Sequence, residues 1–153
     1  VDLRAVAGEV VSDLELSIQQ CDGVIELGEM PQIEADRTQM YQLLQNLLSN
    51  ALKFRQKDRP PRVRVFARPA VSPTGKEAIE IVVEDNGIGF AMSQADRIFQ
   101  PFQRLHGRSE YEGSGIGLPI CRKIAERHGG AIRAESEPGQ GSRFLVCLPI
   151  RQG

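Results

Sequence analysis

The sequence has no apolar run long enough to cross a bilayer and no excess of charge of either sign. Its longest apolar stretches, such as 143–150, are far shorter than the roughly 18 residues of a membrane span. Because 19 Lys and Arg residues face 20 Asp and Glu residues, the net charge is −1, which argues against a dedicated nucleic-acid-binding protein. The chain opens with Val-Asp-Leu-Arg, so we expect no secretory leader and no direct membrane contact.

Cysteine is also scarce. The three cysteines, Cys21, Cys121 and Cys147, are an odd and widely spaced set without a CxxC pair. This pattern argues against a disulfide framework or a zinc site and favours a reducing compartment. We therefore expect three small core side chains in a cytoplasmic protein.

What the sequence does contain is typical of one globular domain spanning residues 1–153. Hydrophobic residues make up 41% and charged residues 25%, which excludes disorder of the whole chain. Apolar periodicity predicts helices at 2–20, 37–54, 93–99 and 117–127, and strands at 24–28, 32–35, 62–68, 79–84, 131–135 and 142–150. Together they predict an α+β fold, an α/β sandwich with a mixed, mostly antiparallel sheet and helices on one face.

Three polar residues share one side of the predicted helix 37–54. Asn46, Asn50 and Lys53 lie within an arc of roughly 60° beside the apolar stripe. A carboxamide oxygen can hold Mg²⁺ without adding charge, and an ammonium group can meet a phosphate oxygen. Alone, the pattern is weak evidence for a site, because Asn and Lys on a helix face are usually just solvated.

A second polar feature follows the strand that ends near Glu84. Asp85 precedes Asn86-Gly87-Ile88-Gly89, so an acid at the end of the strand can accept a hydrogen bond from an exocyclic amino group. The two glycines allow a sharp turn beside a planar ligand. An ordinary Asp-Asn-Gly turn explains the same residues.

A glycine-rich segment, 113–118, opens the predicted helix 117–127. Glycine amides at a helix N-terminus form an anion site. The polar segment 108–112 that precedes it is not a strand, which excludes a Rossmann motif. A Walker motif and the protein-kinase signature set are also absent from the sequence.

Five segments resemble, in order, the conserved boxes of the catalytic, ATP-binding domain of sensor histidine kinases. They are DRTQMYQLLQNLLSNALKF (36–54), DNGIGF (85–90), IFQPFQRLH (98–106), GSGIGLPICRKIAERHGG (113–130) and EPGQGSRFLVCLP (137–149). The resemblance covers about residues 2–150. It implies the Bergerat-type ATP-binding fold that these kinases share with gyrase, the large heat-shock chaperone and the mismatch-repair ATPases. The stretch RLHGRSEYEGSGIGL is similar to kinases attached to phytochrome or PAS sensors.

The resemblance implies ATP and Mg²⁺ as ligands and gives each matching residue a role. Asn50 would bind the metal, and the implied catalytic residues are Asn46, Lys53 and Arg104. The implied ATP-binding residues are Asn46, Asn50, Lys53, Phe54, Asp85, Gly87, Ile88, Gly89, Phe99, Phe102, Arg104, Gly113, Ser114, Gly115, Ile116, Gly117, Leu118 and Ser142.

Among these residues, Asp85 would recognise the adenine amino group, and Phe54 would lie against the adenine or ribose. Phe99 and Phe102 would anchor a flexible ATP lid at 103–116, which we expect to be mobile without nucleotide. Ser142 stands where the family often has Thr, a mild departure.

One position bears on the reaction. Gyrase-type ATPases have a water-activating Glu where this chain has Asn46, and an amide cannot act as a general base. The resemblance therefore favours phosphoryl transfer over hydrolysis, with a degenerate nucleotide-binding module and a gyrase-type ATPase as alternatives.

The two histidines, His106 and His128, lack the sequence context of the family's phosphoacceptor. His128 is expected to cap a helix end as a cation or to pack there. The acceptor is then expected on a separate dimerisation hairpin of the same kinase, with a response regulator as the partner of the full-length protein. The isolated domain is expected to be monomeric.

Overall fold

The computed structural model describes residues 1–94, 97–99 and 117–152, which form one sheet and a set of helices. The helices are α1 (Leu3–Asp13), α2 (Glu15–Gln20), α3 (Arg37–Lys53) and α4 (Gly117–Arg127), with 3-10 turns at Met92–Gln94 and Arg97–Phe99. The strands are β1 (Val24–Leu27), β2 (Arg62–Val71), β3 (Glu77–Asp85), β4 (Ala131–Glu137) and β5 (Gly141–Pro149). Within these ranges no helix combines the length and the apolar character of a membrane span.

The sheet has the strand order β1-β2-β3-β5-β4. The β1–β2 pair is parallel, and the other pairs are antiparallel, as the sequence predicts. In this register Asp85, the last residue of the central strand β3, lies opposite Ser142 on β5. The polar end of β3 is therefore flanked by the start of β5.

The helices cover one face of this sheet, and α3 lies between α1 and α4. Asp36 begins α3 as its N-cap, because its Oδ1 accepts a hydrogen bond of 2.9 Å from the backbone N–H of Gln39. The whole apolar stripe of the helix is buried: Met40, Leu43, Leu44, Leu47, Leu48, Ala51 and Leu52. Burial of this stripe fixes which side of α3 remains for polar residues.

The other face of the sheet bears an ion-pair network. The carboxylate of Glu80 pairs with Arg68 at 2.7 Å and with Arg133 at 3.4 Å. Arg143 joins Glu84 at 3.0 Å to Glu135 at 3.7 Å. These long side chains shield the middle of the sheet on a face that no described helix covers.

Two predictions for the first 35 residues are wrong. The helix expected at 2–20 breaks at Leu14 into α1 and α2, because the buried stripe of α1 ends at Val10 and α2 has no buried residue. The strand expected at 32–35 does not form, and only an isolated bridge joins Asp2 and Gln32. Its neighbouring N–H groups bond to two separate segments instead of one partner strand.

Other boundaries differ by a few residues. β2 extends to Val71 and β3 begins at Glu77, so both are longer than the predicted strands 62–68 and 79–84. Pro69 therefore pairs with Ile79 inside the ladder instead of lying in the loop between the strands. The helix expected at 93–99 is replaced, in its described part, by the two 3-10 turns.

The prediction of three core cysteines holds only for Cys121. The other two, Cys21 and Cys147, are half-buried, and all three are free thiols. Cys21 follows α2, where its thiol donates to the Ser17 carbonyl at 3.2 Å. Cys147 pairs with Glu80 in the β3–β5 ladder, which places it on the polar face of the sheet by strand alternation.

Candidate functional site

The carboxylate of Asp85 is held by one of its two oxygens. Its Oδ1 accepts hydrogen bonds from the backbone N–H groups of Gly87 at 2.8 Å and Ser142 at 3.2 Å. No described residue donates a hydrogen bond to Oδ2. Burial raises the pKa of Asp85 to about 6, and the two backbone bonds act in the opposite direction. The free oxygen is therefore an acceptor that a ligand can use.

The turn after Asp85 packs directly against the β4–β5 hairpin, and glycine permits the approach. Gly89 has a φ of +69°, and a Cβ added to it would lie 2.2 Å from the Glu137 carbonyl oxygen. Gly141 has a φ of +90°, and its Cβ would lie 2.0 Å from the Asp85 carbonyl oxygen. Both positions combine a left-handed backbone with no space for a side chain.

The C-terminal end of α3 is joined to the same turn. Phe54 caps the helix, and its carbonyl accepts a hydrogen bond of 3.0 Å from the N–H of Ile88. The carbonyl of Ile88 in turn accepts one of 2.7 Å from Gly139. These bonds bring the end of α3, the acidic turn and the hairpin turn together.

The polar residues of α3 differ in their burial. Lys53 is exposed, whereas Asn46 and Asn50 are half-buried. The Nδ2 atom of Asn46 is itself buried and has no hydrogen-bond partner among the described residues. It lies beside the thiol of Cys121 on α4. Burial raises the pKa of that thiol to about 12, and the contact with Asn46 lowers it by a smaller amount. Because a neutral thiol is a weak acceptor, this contact satisfies the amide donor only weakly.

The remaining described residues of the predicted set have structural contacts. The ring of Phe99 is buried and packs edge-on against Phe144, with centroids 6.3 Å apart. Gly117 begins α4, and Leu118 packs against the core. Ser142 shares a hydrogen bond of 2.9 Å between its hydroxyl and that of Ser136.

Part of the predicted site lies outside the described residues. This part comprises the lid 103–116 with His106, and the site residues Phe102, Arg104, Gly113, Ser114, Gly115 and Ile116. Their roles stay predictions.

His128 is described, and it packs instead of acting as a charged cap. It is 7% exposed, and its Nε2 accepts a hydrogen bond of 3.1 Å from the N–H of Asp36. That nitrogen therefore carries no proton, and Nδ1 donates to the Ile124 carbonyl at 2.8 Å. His128 thus joins the end of α4 to the start of α3.

Two residues near the acidic turn carry no motif in the sequence. The amide of Gln56 donates to the carbonyls of Gly87 and Gly139, both at 3.0 Å. The hydroxyl of Ser136 donates to the Gly141 carbonyl at 2.8 Å and accepts from the N–H of Phe90 at 2.9 Å. Their only sequence signal is proximity to breaker residues, Asp58-Arg59-Pro60-Pro61 for the former and Pro138-Gly139 for the latter.

A phytochrome-like protein and a sensory kinase match nearly the whole chain in sequence. The phytochrome-like protein Cph1 of Synechocystis sp. is 40% identical over 149 residues, which are 97% of this chain and 19% of that protein. The adaptive-response sensory kinase SasA of Prochlorococcus marinus is 35% identical over 158 residues, covering 100% of this chain and 41% of that protein. The chain thus spans about a fifth of the phytochrome-like relative and about two fifths of SasA.

Solved structures of histidine kinases have the same fold as this chain. The nucleotide-free catalytic domain of histidine kinase ThkA superposes with a TM-score of 0.78 at 25% identity, covering 100% of this chain and 97% of that one. Full-length ShkA in complex with AMPPNP gives a TM-score of 0.79 at 26% identity, covering 100% of this chain and 31% of that one.

A family model agrees with these likenesses. Residues 35–152 match the model described as histidine kinase-, DNA gyrase B- and HSP90-like ATPase. The fold is the α/β sandwich of histidine kinase catalytic domains. The chain therefore belongs to this ATPase family, within which it is a catalytic domain of the sensor histidine kinase type.

Proposed function

We propose that this domain binds Mg-ATP and presents the γ-phosphate for transfer to a histidine on a separate dimerisation domain, as one step of two-component signalling. The observation that supports this most is the Asp85 carboxylate, with Oδ1 held by two backbone N–H groups and Oδ2 free among the described residues. Membership of the ATPase family supports ATP as the nucleotide that the domain binds.

The free oxygen of Asp85 selects for adenine by its chemistry. Adenine presents an exocyclic amino group that donates to a carboxylate, whereas guanine presents a carbonyl oxygen at the corresponding ring position. Two acceptors facing each other lose a hydrogen bond and leave a desolvated polar pair. The domain should therefore prefer ATP to GTP.

The polar side of α3 fits the triphosphate and its metal ion. The carboxamide oxygen of Asn50 would hold Mg²⁺, which when bound neutralises charge on the phosphates. The buried amide of Asn46, which lacks a partner among the described residues, would donate to a phosphate oxygen, and the exposed ammonium of Lys53 would pair with another. Phosphate oxygens would complete the ligand set of the metal.

Transfer, and not hydrolysis, is favoured because no general base stands at Asn46. The nucleotide would then wait for a nucleophile supplied by the phosphoacceptor hairpin of the same kinase. The full-length kinase would pass the phosphoryl group to the receiver domain of a response regulator. The protein's task would be positioning and charge stabilisation.

The test combines calorimetry with a transfer assay. We expect ATP to bind in a Mg²⁺-dependent way and more tightly than GTP, and labelled phosphate to appear on the separately supplied cognate hairpin. Asn50→Ala and Asn50→Asp should abolish the Mg²⁺-dependent transfer without unfolding the domain, whereas Gln45→Ala on the exposed side of α3 should not. Normal transfer by the Asn50 variants would remove the metal role.

The alternatives give different results in the same assays. A gyrase-type ATPase would release inorganic phosphate steadily without the hairpin. A degenerate nucleotide-binding module would bind Mg-ATP and never label the hairpin. Either result would refute the transfer proposal.

A further inference from the structure

We propose that Gln56 is a positioning residue that fixes the Asp85 carboxylate in the orientation that reads the nucleotide base. This inference rests on the proposed function, because it concerns how the proposed base acceptor is held. Gln56 lies two residues after Phe54, in the segment that connects α3 to β2.

The side chain of Gln56 joins three parts of the chain that are far apart in sequence. Its Nε2 lies 3.0 Å from the Gly87 carbonyl oxygen and 3.0 Å from the Gly139 carbonyl oxygen, and 3.4 Å from that of Asn86. One half-buried amide thus links the α3–β2 connection, the acidic turn and the β4–β5 hairpin turn. Both protons of an amide nitrogen are used in such an arrangement.

The contact acts on Asp85 through Gly87. The N–H of Gly87 donates to Oδ1 of Asp85 at 2.8 Å, and the carbonyl of the same residue accepts from Gln56. Gln56 therefore holds Gly87 from its carbonyl side while Gly87 holds Oδ1. Since Oδ1 is held, it is Oδ2 that remains for a ligand.

Gln56 supplies a side-chain anchor that Gly87 itself lacks. Gly87 has no side chain, and a glycine peptide loses more conformational entropy on ordering than any other residue. Its neighbours are already anchored: the Asn86 side chain accepts from the N–H of Arg62 at 2.8 Å, and Ile88 bonds to Phe54 and Gly139 through its backbone. Gln56 is the side chain that anchors the Gly87 carbonyl between them.

The test removes the amide and keeps the shape. Gln56→Leu has a side chain of similar size without a donor, and Gln56→Glu keeps the shape but presents only acceptors to two carbonyl oxygens. The matched control is Gln20→Leu, which makes the same change at an exposed residue of α2. Unfolding in urea shows which variants remain folded at the temperature of the binding assay.

We expect both Gln56 variants to lose ATP affinity on the order of tenfold, the effect of one or two hydrogen bonds. Their affinity for GTP should change much less, so that the preference for ATP falls, while Gln20→Leu should match the wild type. A change in base preference is a readout that a general loss of stability does not produce. Folded Gln56 variants with an unchanged preference would overturn the inference.

A double-mutant cycle sharpens the test. If Gln56 acts through Asp85, Gln56→Leu should weaken ATP binding in the wild type but add little to Asp85→Asn, as measured by NMR titration of weak complexes. Full additivity of the two effects would contradict the positioning role. A wild type that shows no preference for ATP over GTP would instead refute the proposed function itself.

Discussion

The turns at the two ends of the central sheet are held by different kinds of hydrogen bond, local at one end and long-range at the other. At the end away from Asp85, the hydrogen bonds of the turn 72–76 with described residues lie within the turn: Ser72 N–H to the Lys76 carbonyl, Gly75 N–H to the Ser72 carbonyl, and Lys76 N–H to the Ser72 hydroxyl. At the Asp85 end, Ile88 bonds to Phe54 and Gly139 bonds to Ile88, so the partners are dozens of residues apart.

The glycines show the same contrast. Gly75 has a φ of +84° and nothing within 4 Å of an added Cβ, whereas the Cβ of Gly141 would meet the Asp85 carbonyl at 2.0 Å. An open glycine serves only the backbone angle, and a crowded one brings two segments into contact. The difference indicates that segments far apart in the chain contact each other at the site, and that the turn at the other end of the sheet depends on local contacts.

The largest expected effect is that of Gly141→Ala. The added methyl would meet the Asp85 backbone in a left-handed conformation, so we expect a loss of about 3 kcal/mol or more in the free energy of unfolding, and loss of ATP binding. Gly75→Ala is the matched control, because it adds the same methyl at a similar φ in open space and should cost only about 1 kcal/mol. Urea unfolding compares the two, and equal losses would contradict the contrast between the two ends.

Asp85→Asn should separate binding from stability. We expect ATP affinity to fall on the order of a hundredfold, because the amide presents a donor toward the adenine amino group. The exposed Asp58→Asn serves as the control in calorimetry. Unchanged affinity in Asp85→Asn would remove Asp85 from the site.

The same variant should be more stable than the wild type above pH 6. Folding raises the Asp85 pKa from 3.8 to about 6, so the folded state disfavours the ionised carboxylate. The resulting cost is absent below about pH 4 and complete above about pH 6, where it reaches at most about 3 kcal/mol. Asp85→Asn removes it, so the stability difference between variant and wild type should shrink as the pH falls from 8 to 5. A difference that is constant with pH would contradict this assignment.

ATP binding should itself depend on this ionisation. A protonated Oδ2 donates instead of accepting, so we expect wild-type affinity to fall about tenfold per pH unit below the pKa of about 6. Titration of the ATP phosphates affects both proteins alike. The difference in slope between wild type and Asp85→Asn therefore isolates Asp85, and identical slopes would count against its role.

The smallest expected effect distinguishes two serines. Ser72 and Ser136 each make several hydrogen bonds through their hydroxyls, one at each end of the sheet. Either serine changed to Ala should cost about 1 kcal/mol of unfolding free energy. Only Ser136→Ala should also weaken ATP binding, by a few-fold, since Ser136 contacts Gly141 and Ser142 beside Asp85. Equal ATP affinities for the two variants would show that this support is dispensable.

Local patterns predicted most of the fold. The stripe of α3 and the alternation in β2 and β3 gave elements close to those observed, because each depends on near neighbours in the chain. The prediction of a strand at 32–35 is wrong because the N–H groups of this segment bond to two distant parts of the chain, the N-terminus and the end of β5. The break at Leu14 was missed because it depends on where the core of the fold ends.

The site was predicted unevenly for the same reason. Asn46, Asn50 and Asp85 stand in ordered motifs, and the structure places the end of α3 against the acidic turn. Gln56 and Ser136 stand in no motif, since their role is to join segments that only the folded chain brings together. The roles of the residues between 100 and 116 stay predictions.

The sequence by itself determined the class of the domain, because helix periodicity, strand alternation and the order of five motifs are properties of the linear chain. Only the tertiary structure decided which oxygen of Asp85 and which amide of α3 lack a partner among the described residues, and which side chain holds the acidic turn. These depend on contacts between residues far apart in the chain, and a hydrogen bond forms only when folding places donor and acceptor within about 3 Å of each other.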